Sequence, residues 1–277
     1  MNLLRRIIYG LRRQWIVINS VAAYDRNRQA AGSSLGAWEN VVGPAQMMLF
    51  FIAMRVGFSF LRGSNRFASG GSTDMYFNIV VFMSTGFCIA FLFRNVAIKS
   101  LSGLKLRAPL YYSRIKPIDI LMALSLNDMR ALSTLSLAIL GIVYYFTWSF
   151  QLDSPGLAIS VYLLTVMMAL GFGLSVVFLA KLNKWLIKFI RRLIQRIIIF
   201  TSGIFFATFE VPAHIRPFAT WNPILHGVEL FRYSINNEYP IPDISLSYLI
   251  LCSILMLSFS LILYRTNESL LLESNDD

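Results

Sequence analysis

The chain has 277 residues, of which 56% are hydrophobic and 14% charged, and its mean hydropathy is +0.61. A soluble domain carries about a quarter of its residues charged, so this balance excludes one and defines an integral membrane protein. The net charge of +11 does not mark a nucleic-acid binder, because the bases alternate with apolar runs and read as cytoplasmic flanks of membrane spans.

At the N-terminus, a helical wheel puts Arg5, Arg6, Arg12 and Arg13 on one arc and Leu4, Ile7, Ile8, Leu11 and Trp15 on the other. This pattern predicts a helix lying in the inner membrane interface. The apolar run from Trp15 to Ala23 is followed by Asp25, Arg26 and Arg28 and soon by a full span, so a cleaved signal peptide is not expected. Residues 33–36, Ser-Ser-Leu-Gly after Gly32, break the helix, and 1–36 is expected to form a cytoplasmic interfacial segment of a single transmembrane domain covering 1–277.

Six spans are predicted. The first, Val41–Leu61, carries Phe51, Arg55, Phe58 and Ser59 with Arg62 on one side of its outer half. An arginine in a span is costly unless it meets a cavity or a partner, so this face reads as a pathway; the competing reading is that Arg55 snorkels to the outer surface. The second span is Tyr76–Phe93, followed by a basic cytoplasmic segment over 94–127. The third runs from about Leu132 to Trp148, with Asp128 and Arg130 at its inner mouth, and the fourth covers Gly156–Ala180. Gly171 and Gly173 in the fourth suggest close helix packing. Lys181, Lys184, Lys188, Arg191, Arg192 and Arg196 share one side of a second amphipathic segment, which should lie in the interface and feed a short fifth span, Ile197–Phe209. The sixth is Leu246–Tyr264.

Between the fifth and sixth spans the chain stays half apolar through three prolines without becoming an ordinary solvated loop. The fifth run is too short for a hydrocarbon core of ~30 Å, which needs roughly 20 residues. Short re-entrant helices over 210–245 would complete the crossing, since irregular backbone survives at that depth only where protein or a wet cavity satisfies it. Nineteen of the 25 Lys and Arg residues fall in the segments before span one, between two and three, between four and five and after six, against Arg62, Arg66, Arg216 and Arg232 on the other side. The positive-inside rule therefore puts both termini in the cytoplasm.

The chain lacks the HExxH, GxSxG and GxxxxGK[ST] motifs, and its carboxylates are scattered, so it is not expected to be an enzyme or to bind ATP itself. Cys88 and Cys252 both sit in predicted spans and form no disulfide or metal motif. His226 and Glu229, three apart, share a helix face. A single pair makes a poor metal set, and a polar face with Arg232 as partner of Glu229 is preferred; no metal is expected. Aromatic residues including Phe51, Phe58, Phe205, Phe206, Phe209 and Trp221 cluster in the outer halves of spans. They read either as interfacial belts or as a path on which sugar rings stack by their C–H faces.

Several stretches resemble one family. They are Leu35-Gly36 with Pro44; the run from Tyr112 through Ser113, Arg114, Ile115, Lys116, Pro117 and Ile118 to Asp119; Trp221-Asn222-Pro223 with His226, Glu229 and Leu230; and Ser245–Tyr248 through Leu263–Thr266. Spread in order over nearly the whole chain, they are similar to the permease subunits of type-2 ATP-binding-cassette exporters, in the capsular polysaccharide (KpsM-like) branch. Gly43 stands where the family usually has an acidic residue, and Trp38 is displaced by one position, so the approach to span one departs from the pattern.

The resemblance implies a homodimer of six-span subunits in the bacterial inner membrane, with two cytoplasmic ATPase subunits that bind the ATP and magnesium; no cofactor is expected on this chain. It implies a coupling region in which Tyr112, Arg114, Lys116, Pro117 and Asp119 meet the ATPase, and an outer gate containing Trp221, Asn222, Pro223, His226 and Glu229. The path would be lined by Phe51, Arg55, Phe58, Arg62, Phe205, Phe206, Phe209 and Trp221. The implied cargo is lipid-linked acidic capsular polysaccharide, passed to periplasmic and outer-membrane export proteins. An O-antigen or teichoic-acid exporter, or a membrane transferase acting on lipid-linked sugars, are the alternatives.

Overall fold

A computed structural model describes residues 3–32, 38–61, 79–102, 115–147, 152–182 and 184–266. Among these the regular elements are all helical. In chain order they are α1 (Leu3–Gly32), α2 (Glu39–Leu61), α3 (Ile79–Ser102), α4 (Pro117–Thr147), α5 (Pro155–Leu182), α6 (Lys184–Thr201), a 3-10 turn at Thr208–Glu210, α7 (Arg216–Thr220), α8 (Pro223–Ile235) and α9 (Leu246–Thr266). Among the described residues three segments are long and apolar enough to cross a membrane, Ile79–Ile98, Pro155–Phe178 and Leu246–Thr266, and a shorter apolar helix covers Val41–Met54.

α3 is the centre. Of its apolar window 83% is buried, against 17% for α9, so α3 is enclosed by other helices while α9 turns most of its surface outward. In lipid the drive to pack is close contact rather than escape from water, and small residues set it. At Gly171 of α5 an added Cβ would lie 2.6 Å from the Leu257 nitrogen and the Met256 carbonyl carbon, so α5 and α9 touch backbone to backbone there. α8 is wedged between α3 and α5, where a Cβ on Gly227 would meet Ile89 at 3.2 Å and Thr165 at 3.3 Å. The hydroxyls of Thr85, Ser125, Ser136, Thr165, Ser175 and Ser253 each donate to a carbonyl one turn earlier in their own helix, so these buried groups are satisfied without breaking the packing.

One expected boundary is redrawn and another is kept. α1 ends at Gly32, where the break was expected, and docks against the first half of α4, with Val21 and Ala22 packed on Ile120, Ala123 and Leu124. Trp15, expected on the apolar face, is 53% exposed. The basic segment at 181–196 and the fifth span at 197–209 are not separate elements: α6 is one helix from Lys184 to Thr201, and residues 202–207 are non-helical. Gly203 ends it with φ +77°, the left-handed conformation that glycine adopts freely after a helix C-terminus.

Candidate functional site

Three groups of residues stand out: a buried polar lock under α8, an aromatic ladder beside it, and a polar seam between α1 and α4.

The lock grows from the sequence of α8. Asn222 caps it, its Oδ1 accepting from the Ile224 amide at 3.0 Å, and Pro223 opens the helix where a missing N–H costs nothing. The Asn222 side-chain Nδ2 donates to the Thr201 carbonyl at 3.0 Å, tying the start of α8 to the end of α6. Two turns further, Glu229 and Arg232 fall three residues apart on the face that packs against α3. Both side chains are fully buried, with Arg232 Nη1 at 3.1 Å from Glu229 Oε1. Arg232 Nη2 donates to the Phe82 carbonyl of α3 at 3.0 Å and to Ile204 at 3.4 Å, Nη1 also reaches Phe206 at 3.4 Å, and the guanidinium lies 3.5 Å from the centroid of the Phe82 ring. Glu229 Oε1 accepts in turn from the Thr208 amide at 3.4 Å. One pair thus satisfies backbone from α3 and from the irregular 204–208 stretch, which has no helix to do so. Gly86 makes room: a Cβ there would stand 2.9 Å from Arg232 Nη2.

His226 is the second fastening. Its Nδ1 accepts from the Ser245 amide at 3.0 Å and its Nε2 lies 2.7 Å from the Thr220 carbonyl, so the geometry demands a neutral ring protonated at Nε2. Burial lowers its pKa, in keeping with that form. With both nitrogens engaged by backbone, the ring ties the end of α7 to the start of α9 and has none left for a metal. The far end of α8 is tied to the start of α5 by the Ser154 amide on the Ser234 carbonyl and by the Asn237 amide on Asp153, at 2.9 and 2.8 Å.

The ladder begins at Phe200, the exposed last ring of α6, and passes to Phe205 at 5.8 Å, Phe51 of α2 at 5.2 Å and Phe87 of α3 at 5.8 Å from Phe51. Phe51 also touches Phe50, which is 64% exposed. Phe51 and Phe205 thus come together as half-buried neighbours. Phe209 leaves this group and packs on Tyr239 at 5.5 Å, and Phe206 serves the lock through its carbonyl. Trp221 stands 81% exposed on the α7 turn, its carbonyl accepting from the Tyr248 hydroxyl at 2.9 Å. The Arg55 and Phe58 side chains, and Arg62, lie outside the described residues.

In the seam, Asp119 is almost fully buried at the start of α4. Its carboxylate accepts from the Lys116 amide at 3.0 Å, as a helix cap does, and from Gln14 of α1 at 2.6 Å. Deeper in, Asn127 donates to the Ala22 carbonyl at 2.9 Å and to Asp25 at 3.2 Å, and Arg130 donates to Asn19 at 2.8 Å. Of the expected coupling residues, Lys116 is exposed, Asp119 is sealed under α1, and Tyr112, Arg114 and the Pro117 side chain are outside the described residues. Sequence reasoning missed Gln14, Asp25 and Asn127; the available signal was polar side chains recurring on one face of otherwise apolar helices.

These features define an all-helical membrane protein whose polar groups fasten irregular backbone between apolar helices. No protein-family model matches the chain. Its homologues among curated proteins are capsule polysaccharide export inner-membrane proteins. It is similar to the polysialic acid transport protein KpsM of Escherichia coli, 26% identical over 195 residues that cover 70% of this chain and 75% of that protein. It is similar to the capsule polysaccharide export inner-membrane protein BexB of Haemophilus influenzae, 23% identical over 253 residues and 90% of each chain, and to its counterpart CtrC of Neisseria meningitidis serogroup B, 24% identical over 185 residues, 66% of this chain and 69% of that one.

Proposed function

We propose that this chain is the channel-forming permease subunit of an ATP-driven exporter that moves lipid-linked acidic capsular polysaccharide across the bacterial inner membrane. One observation carries the reading: similarity to BexB extends over 90% of both chains, so it takes in the α8 region as well as the spans.

In this reading six helices cross the membrane: α2, α3, α4, α5, α6 and α9. Two copies of the chain enclose the path, and two separate ATPase subunits supply the energy. The stretch from Gly203 to Ser245 forms the outer gate. α8 is short, 13 residues, and is pinned to α3 by Arg232, which suits a fixed post against which Trp221 and the exposed α7 turn move. Phe51 and Phe205 line the path, where flat rings grip sugar C–H faces weakly enough to release each residue. At the inner end the ATPase meets Lys116, and the seam through Asp119 and Asn127 passes its movement to α1 and along α4. Periplasmic and outer-membrane export proteins receive the polymer.

Deleting this chain from its host should abolish surface display of the acidic polysaccharide while the lipid-linked polymer accumulates inside. Surface polysaccharide at the normal level in the deletion strain would refute the reading. The transferase alternative predicts instead that no lipid-linked product builds up.

A further inference from the structure

α7 has five residues and none of them is buried, so its position depends on what its ends are fastened to. At its last residue the Thr220 carbonyl meets His226 Nε2, and the next carbonyl, that of Trp221, accepts from the Tyr248 hydroxyl. At the start of α9 the Ser245 Oγ accepts from the Tyr248 amide at 3.4 Å, as a helix cap does, while the Ser245 amide itself is given to His226 Nδ1. The Tyr248 ring lies 4.7 Å from the imidazole. The end of α7 and the start of α9 therefore meet on one buried ring.

This arrangement works in one protonation state. Nδ1 has to offer a lone pair to the Ser245 N–H; a proton there sets two donors against each other and leaves a cation on a buried ring. The charged groups around it are already committed. Glu229, one turn along α8, is paired with Arg232. Arg216 of α7 and Asp243, two residues before Ser245, are paired with each other. Tyr248 and, one turn further, Cys252 are the titratable groups on α9. α3 and α5 meet α8 at this level through Ile89 and Thr165, both against Gly227.

We propose that His226 is an acid-operated latch: a proton taken at Nδ1 expels the Ser245 amide and frees the α7 turn, with Trp221, from the start of α9. That the acid acts from outside rests on the permease reading, in which these elements form the outer gate. The closed latch needs the neutral ring, and burial holds its pKa below the ordinary value, whereas an opened ring in water titrates near ~6.5. Above that pH the latch is at full strength. Below it the opened state takes up a proton that the closed state refuses, so the ratio of opened to closed rises roughly tenfold per pH unit and levels off only at the closed ring's own pKa.

The test is amide hydrogen exchange of the full chain in phosphatidylcholine nanodiscs, from about pH 8 down to about pH 5, with each rate divided by that of an unstructured amide at the same pH. Protection of the Ser245 amide should fall roughly tenfold per unit below about 6.5, while protection of residues 161–169 in α5 stays flat. His226→Gln keeps a donor and an acceptor but no titrating group, and should flatten the profile; His214→Gln and Asp243→Asn should leave it as it is. The chain has two histidines, so nitrogen-15 spectra of histidine-labelled protein, assigned with His214→Gln, read the ring itself. His226 should be the neutral Nε2–H form at neutral pH and become imidazolium as protection is lost. Flat protection in the wild type overturns the latch, as does a slope that survives His226→Gln, a slope that vanishes in His214→Gln or Asp243→Asn, or a ring that stays neutral while protection falls. Any of these leaves the permease reading standing, because they are read on the purified chain; normal export in the deletion strain defeats the permease reading and leaves the latch intact.

Discussion

Arg232 shows how much a single residue can hold. Its guanidinium bonds to a carboxylate, to α3 and to the irregular chain after α6, with no exposure of its side chain. Removing one partner of a buried pair is far worse than removing both, because the survivor is left charged and unpaired. Arg232→Met should therefore destabilise the protein by roughly 3–5 kcal/mol, while Glu229→Gln combined with Arg232→Met should cost less than the two single changes added together. Thermal unfolding midpoints in detergent, read by fluorescence-detected size exclusion, measure the difference; additive losses would mean that the pair is not coupled. Arg232→Lys should rescue little, since one ammonium cannot span the set of acceptors that a planar fork reaches. The i,i+3 spacing made the Glu229–Arg232 partnership legible in the sequence. Its burial was not: the charge count treats Arg232 as an outer-surface cation, and only the packing of α8 on α3 removes it from water.

At the scale of elements, α1 and α4 are joined by side chains that each helix alone would present as misplaced polar residues. Asn127 bonds both a carbonyl and a carboxylate of α1, and Asp25, also buried, bonds Gln29 on its own helix. Asn127→Leu removes the cross-helix bonds while keeping a similar volume, so it should loosen α1 without unfolding α3, α5 and α9. Faster amide exchange in residues 14–25, with exchange in α9 unchanged, is the expected result; unaltered exchange in α1 would show that the apolar contacts at Val21 and Ala22 suffice. The helical character of α1 was legible from its wheel, but its docking was not, because Gln14, Asn19 and Asp25 find their partners more than 100 residues away. The break after α6 was hidden for a related reason. Hydropathy continues through Ile204, Phe205 and Phe206, and the chain turns because Gly203 takes a positive φ. A Cβ there would run into the buried Leu225 side chain of α8, so tertiary contact as well as local propensity favours glycine at the position.

For the whole molecule, apolar length made the helical membrane class legible, because it is a property of the chain that burial does not alter, and the positions of the cations supply an expected orientation. The structure sharpens the charge argument. With Arg232 enclosed, one cation is removed from the solvated charge on the side expected to lie opposite the basic segments, and Arg216, expected on that same side, is paired with Asp243 at 3.4 Å. The positive-inside bias is thus steeper than a bare count makes it, and both termini should be cytoplasmic. In a background with Cys88→Ala and Cys252→Ala, a cysteine placed by Arg28→Cys on the exposed face of α1 should react with an impermeant maleimide only after the inner membrane is opened. One placed by His214→Cys, exposed before α7, should react in cells whose inner membrane is intact. The reverse pattern would invert the orientation and with it the assignment of α8 to the outer side. Labelling of both in intact cells would mean that α1 and α7 share a face, which the count of crossings between them in the six-span reading forbids.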